Sequence, residues 1–258
     1  DYNNNGVKEL EEFEIAPFPD QAIYLRVFLP NQIFVPSHVN RLSQNLTLNF
    51  AAWKGSGGFS KFLKKISNQA SFITERKIRR SGSDFDLNPF GSSGSDLLGQ
   101  TLTFRNSLFY NRGKQNHSVT FNATSSSNIA LISSGLQENK LRGTQLLYAH
   151  LIQKTWLFSF QVDQNKQKST AQNYLNRSFE ITGYEFEPKV SYLFSTNVNF
   201  DISAAYGEKE NTLGAEAFLV QRKLTLAFNW NTGTKLTANG EFNLIGNNYL
   251  GEANTAAA

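Results

Sequence analysis

The sequence predicts an all-β protein, an antiparallel transmembrane β-barrel of about 12 strands with one short amphipathic helix. Three observations carry this prediction. First, Trp156, Phe158, Phe160 and Val162 alternate with Leu157, Ser159, Gln161 and Asp163, which gives one apolar and one mostly polar side. The same pattern returns at Val198–Tyr206, with Phe200, Ile202 and Ala204 opposed by Asn199, Asp201 and Ser203, then at Leu224–Trp230 and Leu236–Leu244. Second, these runs reach roughly 9 to 11 residues, the span of a tilted membrane strand, where soluble strands average about 5 or 6. Third, the chain holds 22 Phe and 9 Tyr, residue types suited to strands and to the girdles of a bilayer interface.

Bulk composition agrees without deciding. Forty per cent hydrophobic and 18% charged residues would suit a soluble domain, but a barrel shows lipid only alternate residues. No run approaches 18 apolar residues, so no transmembrane helix is expected. The absence of cysteine removes disulfides and thiolate ligands from consideration. A net charge of +4 raises nucleic acid as a partner. The basic residues are scattered, however, and the one cluster, Lys77–Arg80, reads as a solvated strand end, so nucleic acid is set aside.

In chain order, Asp1-Tyr2-Asn3-Asn4-Asn5-Gly6-Val7-Lys8-Glu9-Leu10-Glu11-Glu12 matches a calcium loop. Oxygens of Asp1, Asn3 and Asn5, the Val7 carbonyl, Glu9 directly or through water, and a bidentate Glu12 form the expected calcium set, with Gly6 at the sharp turn. The competing reading is a polar turn that holds no ion. Ala16–Asp20, with two prolines, breaks structure, so residues 1–19 are expected to be a calcium-loop-like junction and linker and residues 20–258 the wall strands. Ile23–Phe28 reads as a short strand, and Leu42–Trp53 as the first long wall strand. After the Gly55–Gly58 turn, Phe59, Phe62, Leu63 and Ile66 take helical spacing, with Lys61, Lys64 and Lys65 on the far side. This helix would lie at a membrane surface, plug a lumen, or serve as an ordinary amphipathic connector.

Ala70–Arg80 reads as a polar-rich strand, and 81–100 as a long Gly/Ser/Asp loop. Leu102–Tyr110 and Val119–Ala123 make a hairpin, 129–135 a short apolar piece, and Leu141–Ile152 a strand. Asp163–Asn173 reads as a polar loop. Phe179–Gly183 starts a strand that bends near Pro188 and resumes at Val190–Phe194, Glu208–Asn211 reads as a charged turn, and Leu213–Leu219 precedes the last two arms. The chain opens at Asp1 without Met or an export signal and ends on Ala256-Ala257-Ala258. It is therefore expected to be a piece of a longer polypeptide.

Chemistry is sparse. His38, His117 and His150 stand alone in sequence, without metal-ligand spacing. No phosphate loop and no G-x-S-x-G elbow occur. Asp201, Glu216 and Glu241 read as polar residues of a wet interior, and Trp53, Tyr110, Trp156, Tyr192, Tyr206 and Trp230 as an aromatic girdle or, in a soluble fold, as core and cross-strand pairs.

Glu11-Glu12-Phe13-Glu14-Ile15-Ala16, Asp20-Gln21-Ala22 and Arg26-Val27, followed by the hairpin series in an Asn-, Lys- and Phe-rich style, resemble large outer-membrane β-barrel proteins of the Bacteroidota. That group includes the giant barrel of the type 9 secretion translocon. The resemblance implies a cell outer membrane location, a bilayer as partner together with other outer-membrane proteins or lipoproteins, and no catalytic residue to carry across. The expected function is a non-enzymatic pore, translocon or assembly component. Two alternatives stand beside it: a soluble secreted β-rich binding module or adhesin, and an outer-membrane hydrolase using His117 or His150.

Overall fold

The computed structural model describes Phe18, Gln21 and residues 35–80, 96–113, 116–132, 135–195, 197–231 and 236–251. From Pro36 onward these form one unit. It is a single antiparallel sheet of ten strands whose spatial order equals their chain order. The strands are β1 (Ser37–Asn49), β2 (Ile66–Arg79), β3 (Leu97–Tyr110), β4 (His117–Ile132), β5 (Gly135–Ile152), β6 (Trp156–Ala171), β7 (Phe179–Ser195), β8 (Val198–Asn211), β9 (Ala217–Asn231) and β10 (Thr237–Leu250). One short helix, α1 (Gly58–Leu63), lies in the β1–β2 connection.

The all-β antiparallel class holds, with two corrections. The sheet is open: β1 and β10 are its edges and do not pair with each other. The described strands also number ten instead of about a dozen, because segments that look separate in sequence are single strands. Val119–Ala123 and the apolar piece at 129 join through Thr124-Ser125-Ser126-Ser127-Asn128 into β4. Phe179–Gly183 and Val190–Phe194 join through Pro188 into β7. The segment leading to Leu219 is the start of β9. A backbone ladder needs only N–H and C=O groups, so it continues where side-chain periodicity fades. For the same reason most of the expected loop Asp163–Asn173 is strand to Ala171, and the expected turn Glu208–Asn211 belongs to β8. The expected strand Ile23–Phe28 lies outside the described residues.

Pro188 has no N–H to give. It pairs with Phe160 of β6, while the β7–β8 register passes from Phe186↔Tyr206 to Lys189↔Ser203, without Glu187 and Pro188. The missing donor thus falls on the β8 side, and the strand survives on its β6 ladder.

Register aligns the faces across the sheet. One row reads Ile152, Trp156, Tyr192, Phe200, Phe228 and Gly240 from β5 to β10, and the next face-matched row reads His150, Phe158, Val190, Ile202, Leu226 and Phe242. A one-residue slip in any ladder would turn a whole strand over, so the pattern itself pins the pairing. From β6 to β9 the apolar face is the outer side of a curved sheet: Ile202 is 55% and Phe186 47% exposed, while Ser191 and Ser203 opposite are 4% and 8% exposed. Small residues on the concave side permit that curvature. A Cβ on Gly143 would approach Asn165 Oδ1 to 2.9 Å and Thr124 Oγ1 to 3.0 Å.

A packed apolar interior is nearly missing. Among the described residues the buried hydrophobic side chains are Ile78 and Leu97, far fewer than a sandwich of this size needs.

Candidate functional site

The two faces of this sheet are its candidate functional surfaces. On the concave side, one row of directly paired residues runs Thr47, Gln69, Ser107, Asn122, Gln145, Asp163, Glu185, Gly207, Gln221 and Asn247 through all ten strands. It holds no apolar side chain. Its central part is a hydrogen-bonded relay. Ser107 Oγ donates to Asn122 Oδ1 (2.7 Å), Asn122 Nδ2 to Gln145 Oε1 (2.9 Å) and Gln145 Nε2 to Asp163 Oδ1 (2.9 Å). Gln161 Nε2 donates to the other carboxylate oxygen. Asp163 only accepts, so it fixes the Gln145 amide, which fixes Asn122 and then the Ser107 hydroxyl. Toward β10 the row resumes with Gln221 Nε2 donating to Asn247 Oδ1 (3.1 Å).

Elsewhere on this face Lys189 Nζ donates to Asp201 Oδ2 at 2.9 Å, and Asn199 Nδ2 adds a longer bond at 3.4 Å. Glu187, Lys223 and Glu241 line the same concavity. Of the sequence-selected carboxylates, Asp201 and Glu241 share a row through Ala227, whereas Glu216 sits in the β8–β9 connection. The concave face therefore carries both charges and a dense set of donors and acceptors, a surface suited to water or to a polar occupant.

The convex face is a band with limits. On β7 it extends from Tyr184 to Tyr192, about 27 Å at a strand rise of about 3.4 Å. At one limit, Gln164 Nε2 donates to the Tyr184 hydroxyl, and the Tyr206 hydroxyl donates to Glu208. Beyond it stands a charged belt in which Lys166 and Lys168 both reach Glu180. Those two ammonium groups, Lys166 first, pull the Glu180 carboxyl from 4.5 down to about 2, against a smaller opposing effect of partial burial. At the other limit is a chain of ring contacts: Tyr110 to His117 (5.8 Å), His117 to His150 (6.3 Å), His150 to Tyr148 (6.3 Å) and Tyr148 to Phe160 (5.2 Å). Trp156 and Tyr192 pack there at 4.7 Å.

The band also crosses the hydrogen-bonded rows obliquely. Leu102 and Phe104 of β3 are apolar, yet their rows arrive at Lys168 and Lys166 on β6. A band of constant height does this when strands tilt against it.

Of the remaining selected residues, Trp53 lies in the β1–α1 connection, Trp230 near the end of β9, and Tyr206 at the charged limit of the band. Register brings His117 and His150 face to face across β4 and β5, and Asn111 Nδ2 lies 2.8 Å from His117 Nε2. Sequence spacing hid this pair because the partners are on different strands. No third ligand joins them: among the described residues no group of three or more His, Asp, Glu or Cys is gathered. The calcium-loop residues Asp1, Asn3, Asn5, Val7, Glu9 and Glu12 lie outside the described residues. Comparison with protein-family models, with curated proteins and with solved structures yields no match for this chain.

Proposed function

We propose that this chain is the wall of a transmembrane β-barrel in a bacterial outer membrane, serving without enzymatic activity as a pore, translocon or assembly component. The observation that carries the reading is the contrast of faces. An apolar band that runs from β3 to β10, with side chains such as Ile202, Phe242 and Leu244 more than half exposed, lies behind a concave side of linked polar groups. Soluble monomers rarely expose apolar patches beyond a few hundred Å², and lipid is the neighbour that suits such a band on successive strands. The aromatic limits, the charged belt beyond Tyr184 and Tyr206, and the oblique course of the band all support the same neighbour.

In hydrocarbon an open strand edge leaves backbone groups without partners. The wall is therefore complete when β1 and β10 are paired, with each other or with strands outside residues 36–251. The even strand number suits direct closure, because β1 and β10 run antiparallel and carry their apolar residues on the same side. Polar cargo or a plug would occupy the concave side. Calcium at Asp1–Glu12 belongs to the proposal on its ligand pattern alone, as a stiffener of the junction ahead of the wall.

Membrane partitioning tests the proposal. Resistance to carbonate extraction together with heat-modifiable mobility on a gel is the expected result. Complete release into the aqueous fraction would overturn it and favour a soluble binding module.

A further inference from the structure

The two ends of the sheet differ in charge. At the α1 end, segment 50–65 contains four lysines, and the described residues of the following connections at that end add Arg112 and Lys154. No Asp or Glu occurs in any of these segments. At the opposite end, the described residues of the connections carry mixed charge: Asp96 and Glu216 with Arg80 and Arg177. The basic end also carries exposed rings. Trp53 and Phe62 are about half exposed and Phe59 is 75% exposed.

α1 does not turn into the concave side. Phe62 packs at 5.6 Å on Tyr110, and Lys65 Nζ lies 5.6 Å over the same ring. Tyr110 shares its face with Val119, Tyr148 and Phe160, so the helix lies against the convex band at its aromatic limit. Of the readings that spacing left open, this geometry does not fit the lumen plug and fits both a membrane-surface helix and an ordinary connector at the rim of the band.

We propose that the segment Trp53–Lys65 is a docking site for anionic phospholipid headgroups, and that the α1 end faces a leaflet carrying them. The inference rests on the membrane reading above. Exposed Trp and Phe beside lysines, on an outer rim continuous with the apolar band, fit the interfacial zone of a bilayer, where rings enter the headgroup layer and ammonium groups meet phosphate. A soluble polyanion would engage the lysines but gives no role to Phe59 and Trp53.

The three tryptophans supply the test. In Trp156→Phe/Trp230→Phe protein only Trp53 reports; in Trp53→Phe protein only the band reports. Each is reconstituted into phosphatidylcholine–phosphatidylglycerol vesicles in which one or the other lipid is brominated. The expected result is Trp53 emission quenched at least about twofold more by the brominated anionic lipid than by the zwitterionic one at equal fraction. That preference should disappear in high salt and in Lys61→Gln/Lys64→Gln/Lys65→Gln protein. The salt arm uses unaltered lysines, so it stands if the triple variant fails to fold. Equal quenching of Trp53 by both lipids, with Trp156 and Trp230 still quenched, overturns the headgroup site and leaves the barrel reading standing. A Trp53 response to heparin but to neither lipid also overturns it. Absence of quenching at Trp156 and Trp230 overturns the membrane reading itself.

Discussion

Thr225 and Leu226 are neighbours in β9 with opposite surroundings. Thr225 Oγ1 donates to Asn243 Oδ1 at 2.7 Å on the concave side, while Leu226, at 42% exposure, sits in the convex band between Ile202 and Phe242. The same pairing of opposites recurs on each strand from β6 to β10. The comparison teaches that this sheet is organised by what lies on either side of it: its own apolar side chains cover one another only partly and form no interior.

Substitution on the two faces should separate them most. Leu226→Arg places a cation in the band and should cost about 2–4 kcal/mol of bilayer stability, read as a loss of folded protein in vesicle unfolding titrations. Thr225→Arg, one residue away, should lose no more than about 1 kcal/mol, chiefly the bond to Asn243. Equal costs at the two positions would erase the distinction between faces.

The relay on the concave side should be next in size. Gln145→Ala leaves Asn122 Nδ2 without its acceptor and removes the donor to Asp163 Oδ1, with the Gln161 bond to the other carboxylate oxygen retained, and should cost about 1–3 kcal/mol in urea unfolding from micelles. If Asn122→Ala is added, the second loss should be smaller than it is alone, since both break one chain of bonds.

The charged belt offers a pH test. The Glu180 carboxyl lies below its ordinary value in the folded state, so its contribution is complete above about 4.5 and disappears as pH falls through about 2. Lys166→Met/Lys168→Met should flatten the acid limb of the melting curve over that window and leave the slope near neutral pH unchanged.

The smallest expected effect is at the β5–β6 turn. Gln153 and Lys154 hold φ of 51° and 60°, and Thr155 N–H donates to Ile152 C=O at 3.1 Å. Two left-handed residues in sequence make this a type I′ turn, which favours Asn-Gly. Gln153→Asn/Lys154→Gly should raise the unfolding midpoint, by about 0.5–1 kcal/mol in stability terms.

These contrasts show how far the sequence alone reaches. Alternation at Trp156–Val162, Val198–Tyr206 and Leu224–Trp230 was legible because one-sided burial imposes period two, and the class followed from it. Strand ends were not legible. Gln164–Ser169 is polar on both faces, so periodicity carries no signal there, yet its backbone pairs with β5 and β7 throughout. The relay from Ser107 to Asp163 and the His117–His150 contact depend on register between strands, which no local pattern states. α1 was legible as an amphipathic segment, but its seat against Tyr110 was not, because helical spacing defines a face without naming what it meets.

The most direct test of the central claim uses the absence of cysteine from the native chain. Single cysteines at Phe158, Ile202, Leu226 and Phe242, and at Ser159, Ser203, Thr225 and Asn243, sample alternate positions of four strands. In reconstituted vesicles the first set should resist a charged, membrane-impermeant maleimide and accept an environment-sensitive probe that reports hydrocarbon, while the second set reacts with the charged reagent or reports water. Equal aqueous reactivity of both sets would contradict a lipid-facing convex band and with it the barrel-wall account.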